Sequence, residues 1–389
     1  MTSEKDQPFI NFGAPDIRSD EIDEIVATLV SGWIGTGPRV NRFETEFAAY
    51  KSASANCVAA VNSCTAALHV SMVAVDLKPG DEVITTAMTF CATVNAIIHA
   101  GATPVIADID PVTYNIDLSQ VAERITTRTR AIVPVHFAGR PCNMDEIGAL
   151  AEKHDLVVIE DCAHAIETQW HGQHAGTFGD FGCFSFYVTK NVITGEGGMV
   201  LGRSPELIDR IKILALHGMT KDAWKRFGDE GFKHYEVVEA GFKYNMMDLQ
   251  AALGIHQLRR VEENWVRRRQ IWEQYQQAFS DLPVGCPAEP DADTRHAYHL
   301  YTLKIDEREC GVSRDALMSR LGKAGVGTGV HYRSLAQQPY YQDTFGWHPD
   351  EYPVSTDFGN QTISLPLGTK LADADVERII ETLVAELEK

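Results

Sequence analysis

The chain has 389 residues, of which 44% are hydrophobic and 23% charged, the balance of an ordinary soluble globular protein with room for about two domains and an ample core. A net charge of −19 argues against general nucleic-acid binding, which needs a basic stripe for phosphates, but leaves room for a local phosphate pocket. No apolar run approaches membrane-spanning length, and the opening MTSEKDQPFINFG has no basic region followed by an apolar stretch, so a cytoplasmic protein is expected. Cys57, Cys64, Cys91, Cys142, Cys162, Cys183, Cys286 and Cys310 form no C-x-x-C pair. They read as small reduced core residues, with no metal site among them.

Between about residues 55 and 200, strand and helix patterns alternate. Residues 57–61 read as a short buried strand and 65–76 as an apolar-rich helix closed by Lys78-Pro79-Gly80. A second strand over 81–85 and a helix over 91–99, ended by Gly101, follow. Further strands are expected over 103–108, 131–136 and 156–161, and a buried aromatic one over 184–188, after which Gly195, Gly197 and Gly198 signal a tight turn. Near-continuous Val/Ile strands separated by helices imply a mostly parallel sheet covered on both faces. Ligands of such sheets bind beyond the carboxyl ends of the strands. Residues 248–282 read as one long helix with a basic middle, linking two domains or lying at a subunit interface, and 286–293 as a loop. A smaller α+β unit closes the chain, with a strand over 298–305, a helix over 313–324, a strand over 327–332 and a final amphipathic helix over 373–388. The division is drawn at 1–255 and 256–389.

Four features stand at or just beyond strand ends. In Asn62-Ser63-Cys64-Thr65-Ala66-Ala67 a strand passes into a helix through small hydroxyl residues. A helix N-terminus there suits a phosphate, and an ordinary Ser/Thr cap is the plainer alternative. Asp161 ends an all-apolar strand, where a carboxylate is costly without a partner. It either holds a protonated ring nitrogen or caps the next turn. His164, three residues on, reads by itself as a satisfied structural histidine. Phe90 either stacks on a flat ring or fills the core. Lys190, between the aromatic strand and the glycine turn, is either a snorkelling residue or an amine kept partly buried so that its pKa falls, as a Schiff-base lysine needs. Jointly they amount to a phosphate cradle, a stacking aromatic, an acid for a pyridine nitrogen and an amine for an aldehyde, which is what pyridoxal 5'-phosphate requires.

The blocks VNSCTAAL, GDEVITTAMTFCATVNAI, AIVPVHFAGRPCNMDEI, VVIEDCAHA, GTFGDFGCFSFYVTKNVITGEGGMV, GFKYNMMDLQAALG and ISLPL resemble those of the DegT/DnrJ/StrS family, in its order and over nearly the whole chain. These are sugar aminotransferases with the aspartate aminotransferase type I fold. The resemblance implies that Lys190 carries pyridoxal phosphate as a Schiff base, and that Asp161 pairs with the pyridine nitrogen. It implies that His164 lies near the ring and its hydroxyl, and that Phe90 stacks on the ring. Thr65, Ala66 and Ser185 match phosphate-binding positions. Asn245 matches a residue that reaches the phosphate from the partner subunit, which implies a homodimer with shared sites. Cys64 stands where many relatives have Gly, and Tyr187-Val188 replaces a more frequent His-Pro.

The activity implied is ping-pong transfer of an amino group from L-glutamate to a keto-sugar carried on a nucleoside diphosphate, with Lys190 moving the proton. The blocks HGMTKDAWKRF, GTGVHYRSLAQQPYY and SGWIGTGP look most like the branch that aminates C4 of UDP-4-keto sugars, while C3 enzymes share most of them. Lys221, Lys225 and Arg226 in a basic aromatic loop, with Lys243 and His331, are candidates for the diphosphate and base, against a plain solvated loop. A sugar dehydratase of the same family and a non-catalytic regulator stay open as rivals. Lys190 speaks against the first, and the lack of a basic DNA-binding segment against the second.

Overall fold

A computed structural model describes residues 8–220 and 235–388. Its centre is a seven-stranded sheet of β1 (Val58–Val61), β2 (Glu82–Thr86), β3 (Thr103–Ala107), β4 (Thr129–Val133), β5 (Val157–Asp161), β6 (Phe181–Ser185) and β7 (Gly198–Gly202), in the order β1-β7-β6-β5-β4-β2-β3. The pairs β3–β2, β2–β4, β4–β5 and β5–β6 are parallel; β7 is antiparallel to both β6 and β1. β7 alone therefore runs against the other six, whose carboxyl ends share one edge.

Because side chains alternate along a strand, each face has its own helices. One face packs Val61, Val83, Val133, Ile159 and Cys183 against α3 (Cys64–Ala74), α4 (Cys91–His99) and α7 (Pro205–Leu214). On the other, Ala60, Phe184 and Met199 meet α2 (Pro38–Tyr50) and α8 (Asp248–Arg259), and Ile84, Ile132 and Val158 meet α5 (Leu118–Arg124) and α6 (Met144–His154). This is the covered, mostly parallel α/β sheet that the strand pattern implies. A separate cluster joins α9 (Val261–Phe279), the antiparallel pair β8 (Tyr301–Lys304) and β9 (Thr362–Leu365), α10 (Arg314–Lys323) and α11 (Asp373–Leu387), with Ile10 from the start of the chain added.

Several sequence expectations need correction. Residues 248–282 are not one helix: α8 and α9 break at Arg260, whose φ −104°, ψ 12° is not helical. Its guanidinium is drawn to the buried carboxylate of Glu21 and to the Asp16 carbonyl, which holds the joint bent. Residues 327–332 are not a strand. In this glycine-rich stretch Gly329 bridges Ser364, and beside it Val326 bridges Ile10. A Cβ on Gly327 would stand 3.0 Å from the Ile10 carbonyl oxygen. The aromatic strand is shifted to 181–185, so residues 186–190 leave the sheet as a loop. The glycines after it do turn, with Gly195 at φ +81°, and Gly198 opens β7, a strand that no alternation signalled.

α1 (Ser19–Ser31) is turned inside out. Its buried residues are the polar Glu21 and Thr28, whereas Ile22, Val26, Leu29 and Val30 point outward, Val30 at 84% exposure. Glu21 is held inward by Arg260 and by Gln257 Nε2 at 2.9 Å.

Candidate active site

The shared carboxyl edge of β1, β2, β5 and β6 carries the functional side chains. Beyond β1, Ser63 caps α3: its Oγ accepts the Ala66 N–H at 3.1 Å and its carbonyl accepts the Ala67 N–H at 3.0 Å. Ala66 is buried, Thr65 is exposed, and the N–H groups of Cys64 and Thr65 lie in the first turn, where a helix has no acceptor of its own. Gly198 lies against this turn so closely that a Cβ there would come within 2.5 Å of the Ser63 carbonyl. Ser185, at the end of β6, is buried, and its Oγ accepts the Tyr187 N–H at 3.4 Å.

Asp161 ends β5 and is 4% exposed. Thr93 Oγ1 donates to Oδ2 at 2.8 Å and the Ala163 N–H to Oδ1 at 3.1 Å. Burial still raises the carboxyl pKa against these two bonds and the pull of Lys190 and His136. Lys190, half-buried on the loop after β6, is held by its N–H to the Tyr187 carbonyl at 2.8 Å. Desolvation pushes its ammonium down to about 8, against the opposing influence of the Cys64 thiol and Asp161. A much larger share of its amine is therefore unprotonated at mildly alkaline pH than in an ordinary lysine.

His164 is buried beside this pair. Its Nδ1 accepts the Ala138 N–H at 3.2 Å, so its ring proton sits on Nε2, 3.0 Å from Tyr332 Oη, to which it donates. Burial, then Lys190, His299 and His331, hold this imidazole neutral. Phe90, just beyond β2, is 59% exposed, with its ring 6.0 Å from that of Tyr332. It is not a core phenylalanine, and its free face borders the site.

The remaining candidates lie further out. His331 accompanies Lys190 in the wall of a cavity of about 340 Å³, bonds Ser364 Oγ at 2.8 Å, and is depressed to about 4 by burial and then Lys190. Lys243 is exposed, and its carbonyl accepts from Asn62 Nδ2 at 3.2 Å. Asn245 bridges Val61 in its own chain, and its Nδ2 donates to Thr36 Oγ1 at 2.6 Å. Lys221, Lys225 and Arg226 lie outside the described residues. Thr93, Asn191 and His299 join these residues without standing out in the sequence, whereas Tyr332 belongs to the 329–333 stretch that, with His331, is a candidate for the diphosphate and base. Asn191 directly follows Lys190, and His299 interrupts an apolar run in HAYHLY, which are the only signals that pointed to them.

These residues fit pyridoxal phosphate. The helix end closed by Gly198 offers N–H groups to a phosphate, and the buried Asp161, oriented by Thr93 and the Ala163 N–H, offers a carboxylate to a protonated pyridine. Lys190 offers the amine, and Phe90 an open aromatic face.

A family model described as the DegT/DnrJ/EryC1/StrS aminotransferase family matches residues 15–384. The chain is 46% identical over 381 residues to the spore coat polysaccharide biosynthesis protein SpsC of Bacillus subtilis (strain 168), covering 98% of this chain and 97% of that one. Among solved structures, the PLP form of Spr1654 from Streptococcus pneumoniae is similar with a TM-score of 0.90 at 34% identity, over 98% of this chain and 99% of that chain. Helicobacter pylori PseC, an aminotransferase involved in the biosynthesis of pseudoaminic acid, has a TM-score of 0.90 at 27% identity, over 98% and 100%.

Proposed function

Because the chain belongs to the DegT/DnrJ/EryC1/StrS aminotransferase family, whose members are PLP-dependent sugar aminotransferases, we propose that it moves an amino group from L-glutamate to a nucleotide-linked keto-sugar, at C4 of a UDP-4-keto sugar. The observation that carries this reading is a half-buried lysine, depressed to about 8, within electrostatic reach of a buried aspartate at the carboxyl edge of the sheet. When bound, pyridoxal phosphate supplies an aldehyde for an amine and a ring that takes up the electron pair released at the donor's α-carbon. Asp161, oriented by Thr93 and Ala163, holds the proton on the ring nitrogen. Lys190, once displaced by the donor, carries a proton between the donor's α-carbon and the cofactor's C4′ as general base and then acid. It repeats the transfer in reverse for the sugar, after the keto acid has left. His164, neutral and tied through Nε2–H to Tyr332, would lie beside the ring, and Phe90 would cover one face against water. His331 and Lys243, with Lys221, Lys225 and Arg226 of the basic loop, are the groups for the diphosphate and base.

The reading includes a homodimer with shared sites. The outward apolar face of α1 supports it, since a helix that buries Glu21 and Thr28 and exposes Leu29 and Val30 is built to be covered. In this reading Asn245, whose side chain bonds Thr36 a few residues beyond that helix, serves the partner's phosphate. The reading also keeps a cofactor-binding unit, 1–255, and a smaller unit, 256–389. The separate packing cluster of α9, β8, β9, α10 and α11 supports that division. Among the described residues no helix is long and apolar enough to cross a membrane. A cytoplasmic setting suits the substrate pair and the eight free cysteines.

The test is incubation with ¹⁵N-labelled L-glutamate and, separately, UDP-4-keto and UDP-3-keto sugars, read by mass spectrometry and NMR. Label at C4 is expected. Label at C3 overturns the position, and an unlabelled, dehydrated sugar overturns the transfer.

A further inference from the structure

The hydrogen bonds beside Asp161 run in one direction and end on a proton that nothing takes. A backbone N–H only donates, so the Ala138 N–H, 3.2 Å away, makes His164 Nδ1 an acceptor. The neutral ring then carries its single proton on Nε2, which donates to Tyr332 Oη at 3.0 Å. Tyr332 therefore accepts from His164 and keeps its own O–H to give. Among the described residues no group accepts it.

The phenol is held in place. The Tyr332 N–H meets Met88 Sδ at 3.4 Å, and its ring stands 6.0 Å from Phe90, 6.4 Å from Phe137 and 6.1 Å from His164, centre to centre. The titratable groups around the pair are Asp161 and Cys91 beside Tyr332, and Lys190, His299 and His331 beside His164. Burial, then Asp161, raises the phenol's pKa, so its proton stays on across the working pH range. Strand order decides what lies on that side. The phosphate cradle belongs to β1, β7 and β6, through Ser63, Gly198 and Ser185. Asp161 ends β5, next in the sheet, and Ala138, which anchors His164, follows β4, next again. In pyridoxal phosphate the nitrogen and the aldehyde carbon stand at opposite ends of the ring, with the phosphate arm and the hydroxyl on opposite sides of the aldehyde. With the nitrogen at Asp161 and the aldehyde at Lys190, a phosphate toward β1 and β6 turns the hydroxyl toward β4, where His164 and Tyr332 stand.

We propose that Tyr332 is the hydrogen-bond donor to the cofactor's ring oxygen, with His164 as the positioning residue that fixes its hydroxyl through Nε2–H. Within the 329–333 stretch, this side chain serves the cofactor rather than the nucleotide. The proposal rests on Lys190 being the cofactor-bearing amine and is independent of which sugar is aminated.

The experiment titrates the visible band of the holoprotein with pH, which reports loss of the proton from the nitrogen joining Lys190 to the cofactor. Once that proton has gone, the ring oxygen carries its negative charge unshared, so a donor to it favours the deprotonated form and lowers the inflection. Tyr332→Phe, which keeps the ring and removes the donor, should raise the inflection by about one to two pH units, the worth of a hydrogen bond to a charged group. His164→Leu, which leaves the hydroxyl unanchored, should raise it by less. A tyrosine fluorinated next to its hydroxyl, placed at position 332, keeps the shape and donates more strongly. It should lower the inflection, and it decides the matter if Tyr332→Phe does not fold. An inflection that stays or falls in Tyr332→Phe, or fails to fall with the fluorinated residue, overturns the proposal. So does a larger rise in His164→Leu than in Tyr332→Phe, which would make His164 itself the donor. A visible band that survives unchanged in Lys190→Ala would instead overturn the role of Lys190.

Discussion

Lys190 and Lys51 show how similar desolvation serves two ends. Both ammonium groups are pushed down to about 8 by burial. Lys51, 1% exposed, donates to the carbonyls of Ile166 at 2.7 Å, Ala175 at 3.2 Å and Ala165 at 3.4 Å, and lies 4.4 Å from the centre of the Phe184 ring. It is a structural pin, whereas Lys190 borders a cavity. Between pH 8 and the ordinary lysine value of 10.5, the unfolded chain binds more protons at residue 51 than the native protein does. Lys51 therefore makes stability rise with pH across that window, by at most about 1.4 kcal/mol per unit. Lys190 contributes in the same direction over this window, so denaturant titrations at pH 8 and 10 should show a rise that is reduced by the Lys51 share in Lys51→Met. That variant should also lose about 1–3 kcal/mol at neutral pH, because three carbonyls lose their donor. For Asp161, replacement by Asn keeps the shape and the Thr93 contact but removes the charge that holds the ring proton. The first half-reaction with L-glutamate should slow by on the order of 10²-fold or more in stopped-flow absorbance, with the fold intact.

At the scale of elements, the strand ends were the legible part. Asp161, Phe90 and Lys190 each follow a run of Val, Ile or aromatic residues whose direction is set by parallel topology, so their shared edge could be inferred before any coordinates. What brings them into contact was not legible. Tyr332 reaches His164, and His299 reaches Asn191, from more than a hundred residues away in sequence, through segments with weak or misleading periodicity. The break at Arg260 is of the same kind, since its cause is Glu21, two hundred residues earlier, and no local signal marks it. α1 is hard to read for the opposite reason. Its apolar stripe is a true amphipathic pattern, but it faces outward. A stripe of that kind tells where apolar residues lie on a helix and not which body covers them. β7 is short and glycine-bounded, and its residues give no alternation because both of its faces are buried.

At the scale of the whole molecule, the proposed dimer, with its contact at the outward face of α1 and Asn245 at the partner's site, ties cofactor binding to assembly. Val30→Asp should convert a dimer to a monomer in analytical ultracentrifugation. If the partner's Asn245 holds the phosphate, that monomer should bind pyridoxal phosphate more weakly at equal protein concentration. An intact dimer with Asp at position 30 would mean that another surface joins the subunits. The central claim, that Lys190 holds the cofactor and yields it to an amino-acid donor, is tested most directly by the visible spectrum of the purified holoprotein before and after L-glutamate. The account expects a yellow absorbance that bleaches with glutamate, returns with the acceptor sugar, and is absent from Lys190→Ala. A band that ignores glutamate, or one that survives unchanged in Lys190→Ala, would contradict it.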